Sequence, residues 1–438
     1  MSWNGRAHLE SLRPSIEALE PPGVEWELLI LDNGSSDGTA DWVRSVWPRA
    51  RLIESAKNLG FAAGNQRLVE EARGDAVAFL NNDTRVAPGW LRELVATLAG
   101  APDDVVAVSG LALDWEGERL DFGRGVMTFD GHGFQLDWGR PLERARLPEA
   151  GAELLFASGG NMLMWRDAFL ELGGFDQDYF AYLEDVDLGW RSWSAGRRVI
   201  HAPGALVHHR GSATSDLLGQ GHRGFLFERN AFLTAYKNYE AGLWERMMPA
   251  VMLTLMSRLA TLDAENNPGG WLLTVDPYAG LIANTEGNGS NTAKSAAGGG
   301  GVPSGGSRAA GSAGAARRVL DSVRRALRGD PGPWGLGLGG AAAPAATAPV
   351  LSDERTLAHH RAVWNLLGNL DRAAVKRARV QSMRRRGDAE IFARFPLYVV
   401  PTYPGDAALF GSAGWNAWLA PDLPILRSTL EEVMAWGS

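Results

Sequence analysis

Residues 26–39 have the sequence WELLILDNGSSDGT, an apolar run that passes directly into a polar turn. The apolar run, Trp26–Leu31, has the length and composition of a buried strand, and the glycine- and serine-rich turn marks its end. An amphipathic helix follows and extends to about Trp47. Strand, tight turn and helix in this order form the repeating unit of an α/β sheet, so this segment predicts an α/β fold.

The same alternation continues to about Leu206. Further strands are expected at Arg51–Glu54, Asp75–Leu80, Val105–Ser109 and within Arg197–His209, and further helices at Phe61–Ala72, after Pro88, at Arg166–Leu172 and from Glu184. We therefore predict four regions. They are an α/β domain over residues 1–240, a helical extension over 241–284, a flexible Gly/Ala/Ser-rich linker over 285–349 and a C-terminal helical region over 350–438.

Composition limits the function classes. The 438 residues carry a net charge of -8, which argues against nucleic acid as a partner, and the chain has no cysteine, which excludes disulfides and thiolate metal sites. Met1–Leu12 lacks the apolar segment of a signal peptide, so we expect a cytoplasmic protein. The helix Trp244–Leu262 and the basic Arg384–Arg386 suggest peripheral contact with the inner face of the plasma membrane. Packing of that helix on the α/β domain is the alternative.

Three polar clusters follow predicted strands, where ligands of open α/β sheets collect. In the first, Asp32–Thr39, the carboxylate of Asp32 can accept hydrogen bonds from a nucleobase or ribose, although Asp37 fits a simple helix cap. In the second, Asn82–Thr84, Asp83 can hold a hard divalent cation that bridges two phosphates. The alternative for Asp83 is an ordinary turn residue.

The third cluster is Glu184–Arg191, at the start of a predicted helix. Acidic residues are favoured at this position by the helix dipole, and that explanation needs no catalysis. The functional alternative is that one carboxylate acts as a general base. Downstream, His208-His209 could complete a metal site through a neutral imidazole.

Together these clusters resemble the family 2 glycosyltransferases with a GT-A (Rossmann-like) fold, in particular the bacterial rhamnosyl- and galactofuranosyltransferase-like branch. The resemblance covers residues 2–240 and is specific in order and spacing. Its matching segments are Asp32–Thr39, Asn58–Asn65, Leu80–Thr84, Ser158–Gly160, Arg166–Arg191 and His209–Ser212.

The resemblance implies a donor-binding set. Asp32 would contact the base of the nucleotide, and Asn58 and Asn65 would flank it. Asp83 would be the metal-binding residue of the family's Asp-x-Asp element and hold Mg²⁺ or Mn²⁺ beside the donor. Asn81 stands where the first Asp of that element usually lies, so contact with ribose or metal would be weaker at this position. Asn81 nevertheless remains in the expected donor-binding set.

The resemblance also implies the catalytic set. Asp185 would be the base of the family's Glu-Asp pair, and Glu184 would bind the acceptor. His209 would ligate the metal, with His208 as the other candidate. Residues 111–150, irregular and rich in glycine and aromatic residues, are expected to form part of the acceptor pocket.

The implied reaction is an inverting, single-displacement transfer from a UDP- or dTDP-sugar to a glycan or lipid-linked acceptor in bacterial cell-surface polysaccharide synthesis. A non-catalytic nucleotide- or glycan-binding relative is the alternative. A nucleotidyltransferase is a third hypothesis, but it would need a glycine-rich, basic N-terminal signature that this sequence does not have.

One departure from the family pattern lies at the N-terminus. Family members begin with a buried strand followed by a polar turn, and Ser2–Arg6 already resembles that turn. The first strand, which is a central one, would therefore be missing. The backbone hydrogen-bonding groups of the two strands beside it would then be exposed. We expect that the chain starts too late, through a mis-called initiation site or as a fragment, and reduced activity would follow if it were complete.

Overall fold

A computed structural model describes residues 1–211, 220–266 and 353–435. The predicted α/β fold is confirmed, whereas the predicted domain boundaries stay predictions. The predicted linker at 285–349 lies outside the described residues. Within the described ranges, no helix is long and apolar enough to cross a bilayer.

The first part of the chain alternates helices and strands, as the sequence predicts. Its elements are α1 (Arg6–Glu17), β1 (Leu28–Asp32), α2 (Thr39–Val46), β2 (Ala50–Glu54), α3 (Gly60–Glu71), β3 (Ala76–Leu80), β4 (Thr84–Val86), α4 (Trp90–Ala99) and β5 (Val105–Asp114). The irregular stretch that follows contains three short strands, β6 (Leu120–Phe122), β7 (Gly125–Thr128) and β8 (Gly133–Gln135). The domain then continues with β9 (Asn161–Trp165), α5 (Arg166–Glu171), α6 (Glu184–Ser194) and β10 (Arg198–His209).

The remaining described elements are mostly helical. They are α7 (Gln220–Asn238), α8 (Ala241–Asn266), α9 (Glu354–Met383), α10 (Asp388–Arg394), β11 (Leu397–Val399), α11 (Asp406–Gly411), α12 (Ala413–Asn416), β12 (Ile425–Arg427) and α13 (Leu430–Val433). The two short strands were not predicted. We call residues 353–435 the C-terminal block.

The central sheet has the strand order β3-β9-β5-β10-β4, with β6 paired to β5. Strands β5 and β10 are parallel, whereas β9 runs antiparallel to both β3 and β5. Every side chain from Val105 to Leu113 in β5 is buried, because helices or loops cover both faces of this strand. Helix α4 packs on β5 and β10, and α5 packs on β3 and β9.

A second sheet consists of the parallel pair β1 and β2. Ser2 forms an isolated parallel bridge with Asp32 at the end of β1, and the side-chain amide of Asn82 donates a hydrogen bond to its hydroxyl at 3.0 Å. The segment that resembles the family's first turn therefore lies between the ends of β1 and β3. The hypothesis of an absent preceding strand stays a prediction.

A third sheet joins the C-terminal block to the α/β domain. Its order is β12-β11-β7-β8, in which β7 and β8 form a hairpin and β11 pairs with β7 in parallel. Helix α9 packs along α7, and the buried Trp415 of α12 donates to the carbonyl of Ala250 in α8. The helix Trp244–Leu262 thus has one side packed against protein, while Leu253 and Met256 are exposed.

Candidate active site

One cleft of about 820 Å³ brings most of the predicted site residues together. Its lining includes the predicted residues Asn58, Asn81, Asp83, Glu184, Asp185 and His209. It also includes residues of the irregular stretch, namely Ala112, Asp121, Phe122, His132, Gly133, Phe134, Gln135 and Trp138. Strand ends, a helix start and the β7–β8 hairpin therefore converge on one cavity.

Strand pairing brings together the first group of residues in this cleft, Asp83 and His209. β10 runs antiparallel to β4, and the register places His209 opposite Thr84, the neighbour of Asp83. As a result the Nε2 atom of His209 lies 3.2 Å from a carboxylate oxygen of Asp83. The backbone N–H of Arg210 also donates to the Asp83 carbonyl at 3.0 Å, which fixes the two segments together.

A third residue, Asp121, holds the same imidazole from its other side. β6 pairs with β5, next to β10, and this places an Asp121 oxygen 2.9 Å from Nδ1 of His209. Trp138 donates its indole N–H to the other Asp121 oxygen at 3.0 Å. A carboxylate on Nδ1 orients a histidine whose Nε2 faces a metal, so Asp121 fits a supporting role that sequence reasoning missed.

The charges at this point favour a cation. Burial lowers the pKa of His209, but the carboxylates of Asp121 and Asp83 more than compensate and raise it to about 10. Burial likewise raises the pKa of Asp83, and the hydrogen bond with His209 brings it below its usual range. Positive charge is therefore favoured between these carboxylates, and a divalent cation bound at Nε2 would replace the proton that this imidazole otherwise holds.

The residues fit a metal ion only as a partial ligand set. Among the described residues no three acidic or histidine side chains are arranged to hold a metal by themselves. Asp83 and His209 supply two ligands. Mg²⁺-type ions are commonly bound by one or two carboxylates and complete their shell with water and substrate phosphates, so a two-residue site suits an ion that arrives with a diphosphate.

The acidic pair at the start of α6 lies in the same cleft. Asp185 accepts a hydrogen bond from the backbone N–H of Gly159 at 3.0 Å. Burial raises the pKa of Asp185 above its ordinary value. Burial and the charge of Asp185 raise the pKa of Glu184 much further, and Oε2 of Glu184 has no hydrogen-bond partner among the described residues. Glu184 is therefore the more readily protonated member of the pair, and Asp185 is the more readily ionised one.

A strained turn presents this pair. Phe180, Tyr182 and Leu183 all have positive φ, between 63° and 70°, a conformation that is costly for bulky residues. The buried side-chain amide of Asn230 in α7 donates to the carbonyls of Ala181 and Tyr182, both at 2.8 Å. Strain of this kind persists where the surroundings over-determine it, so α7 holds the turn that positions the acidic pair.

The loop around Asn58 closes the cleft against this turn. The side chain of Asn33 donates to Asn58 Oδ1 at 2.9 Å, and the same oxygen accepts the N–H of Gly60 at 2.8 Å. Gly60 has φ of +80°, and a Cβ there would lie 2.4 Å from the ring of Phe180. Only glycine permits this approach between the Asn58 loop and the turn before α6.

Two predicted donor residues, and the alternative metal ligand His208, do not line the cleft. Asp32 is buried at the end of β1, where its Oδ1 has no hydrogen-bond partner among the described residues. Asn65 donates to the carbonyl of Phe61 within its own helix. His208 faces the opposite side of β10 and approaches the Asp114 carbonyl at 3.3 Å, because neighbouring strand residues point to opposite faces.

Another acidic residue of the α6 motif is structural. Asp187 is fully buried and pairs with Arg191 at 2.8 Å and with Lys237 of α7 at 3.0 Å. One feature of the sequence separates Asp187 from its neighbours Glu184 and Asp185. The i, i+4 spacing to Arg191 was the available signal.

Comparison with known proteins concerns the family of the chain. Residues 6–173 match the model of the family described as glycosyl transferase family 2. The chain is 30% identical over 235 residues to N-acetylglucosaminyl-diphospho-decaprenol L-rhamnosyltransferase of Mycobacterium tuberculosis, covering 49% of this chain and 76% of that protein. It is 31% identical over 198 residues to O-antigen biosynthesis protein RfbC of Myxococcus xanthus, covering 43% and 15%.

Among solved structures, the chain matches that of GalNAc-T7 with UDP, GalNAc and Mn²⁺. Its TM-score is 0.44 at 16% identity, covering 58% of this chain and 48% of that one. The sequence relationships, together with the cleft at the strand ends, lead to one assignment. The chain belongs to glycosyltransferase family 2, and its α/β domain has the GT-A fold.

Proposed function

We propose that this glycosyltransferase is metal-dependent and inverting, and that it transfers a sugar from a nucleotide-diphosphate donor to a hydroxyl of a glycan or lipid-linked acceptor. One observation carries the proposal. The Asp83–His209 pair and the Glu184–Asp185 pair line the same cleft. A site for a diphosphate-bound cation and a general base must share one cavity if an acceptor is to attack a nucleotide sugar.

The donor end would work through Asp83 and His209. These two side chains would hold a divalent ion, Mg²⁺ or Mn²⁺, which neutralises negative charge on a departing diphosphate. Asp121 keeps the His209 ring oriented through its Nδ1–H. Asn58 and Asn81, both on the cleft wall, would contact the nucleotide or sugar. Asp32 and Asn65 do not line the cleft and are kept in the donor set because the family resemblance implies them.

At the other end of the cleft, Asp185 would act as the general base. Its ionised carboxylate would remove the proton of the acceptor hydroxyl as that oxygen attacks the anomeric carbon, while the bond to the diphosphate breaks on the opposite face. The product has inverted configuration, and no covalent enzyme intermediate forms. Glu184, which is more readily protonated, can donate a hydrogen bond to the acceptor.

The relatives suggest the biological setting. The similar mycobacterial protein is named for an acceptor in which N-acetylglucosamine is joined through a diphosphate to decaprenol, and the similar Myxococcus protein is named for O-antigen biosynthesis. We extend these to a role in bacterial cell-surface polysaccharide synthesis, with a UDP- or dTDP-sugar as donor. A cytoplasmic location at the inner face of the plasma membrane suits a lipid-linked acceptor.

A panel of nucleotide sugars tests the proposal. Purified protein is incubated with each UDP- or dTDP-sugar, with Mg²⁺ or Mn²⁺, and release of nucleoside diphosphate is measured with and without EDTA. We expect release from at least one donor, and loss of that release with EDTA.

Matched variants separate catalysis from binding. Asp185→Asn should retain donor binding with strongly reduced turnover, whereas Asp187→Asn alters a buried ion pair and is expected to lower stability. A protein that binds nucleotide but turns over no donor under any condition would instead be the non-catalytic relative. EDTA-resistant turnover would remove the metal from the proposal.

A further inference from the structure

The C-terminal block contributes a wall to the active-site cleft. Five of its residues line the cavity that contains Asp185, namely Arg355, Thr402, Tyr403, Leu430 and Met434. All of them lie beyond residues 6–173, where the family model matches. Since the donor-end residues occupy the wall formed by strand ends, the wall formed by this block is available to the second substrate.

Tyr403 is the centre of this wall. The guanidinium of Arg355 lies 4.4 Å from its ring centroid, and that of the buried Arg258 lies 4.9 Å from it. The ring of His359 packs edge-on at 4.7 Å. Contacts with two cations and one other ring restrict the tyrosine to one orientation, so it gives Arg355 a fixed support.

A buried charge network anchors the loop that carries Tyr403. The backbone N–H groups of Thr402 and Tyr403 donate to one oxygen of Asp406, at 3.0 and 3.1 Å. Asp406 in turn pairs with Arg258 at 3.0 Å. The loop is therefore tied to α8 by a buried ion pair.

The same network continues to the β7–β8 hairpin. Arg258 pairs with Asp130 at 3.2 Å and with Glu228 of α7 at 3.5 Å. His132, which lines the cleft, lies 3.2 Å from both of these carboxylates. Hairpin, α7, α8 and C-terminal block are thus fixed together directly behind one wall, which is the kind of supporting shell that a precise binding site requires.

The wall presents positive charge to the cavity. The described contacts of Arg355 are the Tyr403 ring and the carbonyl of Thr402 at 3.3 Å, and within the described ranges it has no carboxylate partner. Arg223 of α7 lines the same cavity. The acidic Glu228 faces His132 and Arg258, which offset its charge. A planar guanidinium with unused donors suits the oxygens of a phosphate or carboxylate.

We propose that this wall is the acceptor subsite and that Arg355, supported on Tyr403, binds an anionic phosphate group of the acceptor. The inference rests on the proposed function, because it assigns the acceptor end of that reaction. The C-terminal block is then part of the active site of this enzyme. The same cleft joins this subsite to Asp185.

Direct binding tests the proposal without turnover. The probes are two synthetic glycolipids, N-acetylglucosaminyl-diphospho-farnesol and its ether-linked counterpart without the diphosphate. Dissociation constants are measured by calorimetry with UDP and dTDP both in excess, so that the donor end is occupied. We expect the full-length protein to bind the diphosphate probe about tenfold more tightly, and Arg355→Ala to abolish that preference.

Three variants complete the design. Arg355→Lys should keep part of the preference, since it retains charge but loses the planar donors, and Tyr403→Phe should keep most of it. Arg246→Ala removes a surface arginine on α8 that pairs with Asp422 and should change nothing. Equal affinity of wild type for the two probes, or a preference that survives in Arg355→Ala, would overturn the proposal. Absence of diphosphate release from every nucleotide sugar is a separate result, and it tests the proposed function alone.

Discussion

The two ends of the cleft are built in different ways. At the donor end, Asp83, His209 and Asp121 are brought together by hydrogen-bonded neighbours in one sheet. At the acceptor end, Arg258 joins Asp130, 128 residues away, and Asp406, 148 residues away, across helix and loop packing. Strand register therefore positions one end, and a buried charge network positions the other.

This difference predicts how substitutions at each end affect activity and stability. At the donor end His209 and Asp121 keep 19% and 15% of their side chains exposed, so single changes there should alter chemistry more than stability. A buried network contains charges that are stable only as a set, so single changes there should alter stability first. The experiments below test this contrast, from the largest expected effect to the smallest.

The largest effect should follow replacement of the base. Asp185→Asn keeps the size of the side chain but cannot accept the acceptor's proton, so we expect kcat to fall by about 10²–10⁴-fold with donor affinity nearly unchanged. Steady-state turnover and calorimetric titration with nucleotide measure the two quantities. The N–H of Gly159 that meets Asp185 is preserved, so the melting temperature serves as a folding control. Undiminished kcat would reject Asp185 as the base.

The next effect should appear in stability. Arg258→Met leaves Asp130, Glu228 and Asp406 buried without their shared cation, and we expect the free energy of unfolding to fall by about 3–5 kcal/mol. Urea unfolding of the full chain measures it. Arg246→Met, on the exposed side of the same helix, is the matched control. If both variants unfold at the same urea concentration, the network does not hold the acceptor wall.

The sequence predicted those elements whose signals lie within a short stretch of chain. The strand-turn-helix unit at 26–39, the strand ending at Leu80 and the helix from Glu184 all predict their elements closely, because apolar runs and glycine turns are local signals. Asp83 and His209 were identified by motif, and the antiparallel register of β4 and β10 then explains their proximity.

Other features could not be predicted from local pattern. β6, β7 and β8 are only three or four residues long, and β11 pairs with a strand some 270 positions earlier, so no periodicity marks them. Asp121, Glu228 and Tyr403 look like ordinary surface or core residues in the sequence. Their roles depend on neighbours that only tertiary packing supplies.

A moderate effect should distinguish a supporting residue from a ligand at the donor end. Asp121→Asn still reaches His209 but loses the negative charge behind its Nδ1, so we expect affinity for Mn²⁺ to weaken by about 10–100-fold. Electron paramagnetic resonance of free Mn²⁺, with nucleoside diphosphate present, measures it without turnover. Asp114→Asn, at the end of the adjacent strand β5, is the control. Unchanged Mn²⁺ affinity in Asp121→Asn would show that Asp121 does not support the metal site.

The smallest effect concerns the pH dependence of stability at the acceptor end. Burial lowers the pKa of His132, but the facing carboxylates of Asp130 and Glu228 raise it to about 10, against an ordinary value of 6.5. Between these two values the folded protein keeps a proton that the unfolded chain releases. The stabilisation is therefore complete below pH 6.5 and is lost as the pH rises toward 10. Its contribution to the free energy of unfolding falls by at most about 1.4 kcal/mol per pH unit.

His132→Gln isolates this contribution, because glutamine can donate a hydrogen bond but does not titrate. Urea unfolding at pH 7, 8 and 9 should give a steeper loss of stability for the wild type than for the variant. The other charged and titratable groups around the network, Arg258, Asp406, His359 and Tyr403, are present in both proteins, so the difference in slope belongs to His132 and the carboxylates it faces. Parallel curves would mean that His132 is not held as an imidazolium. Arg258 would then be the buried cation that the three carboxylates share. The difference between the two ends of the cleft would depend on that one residue.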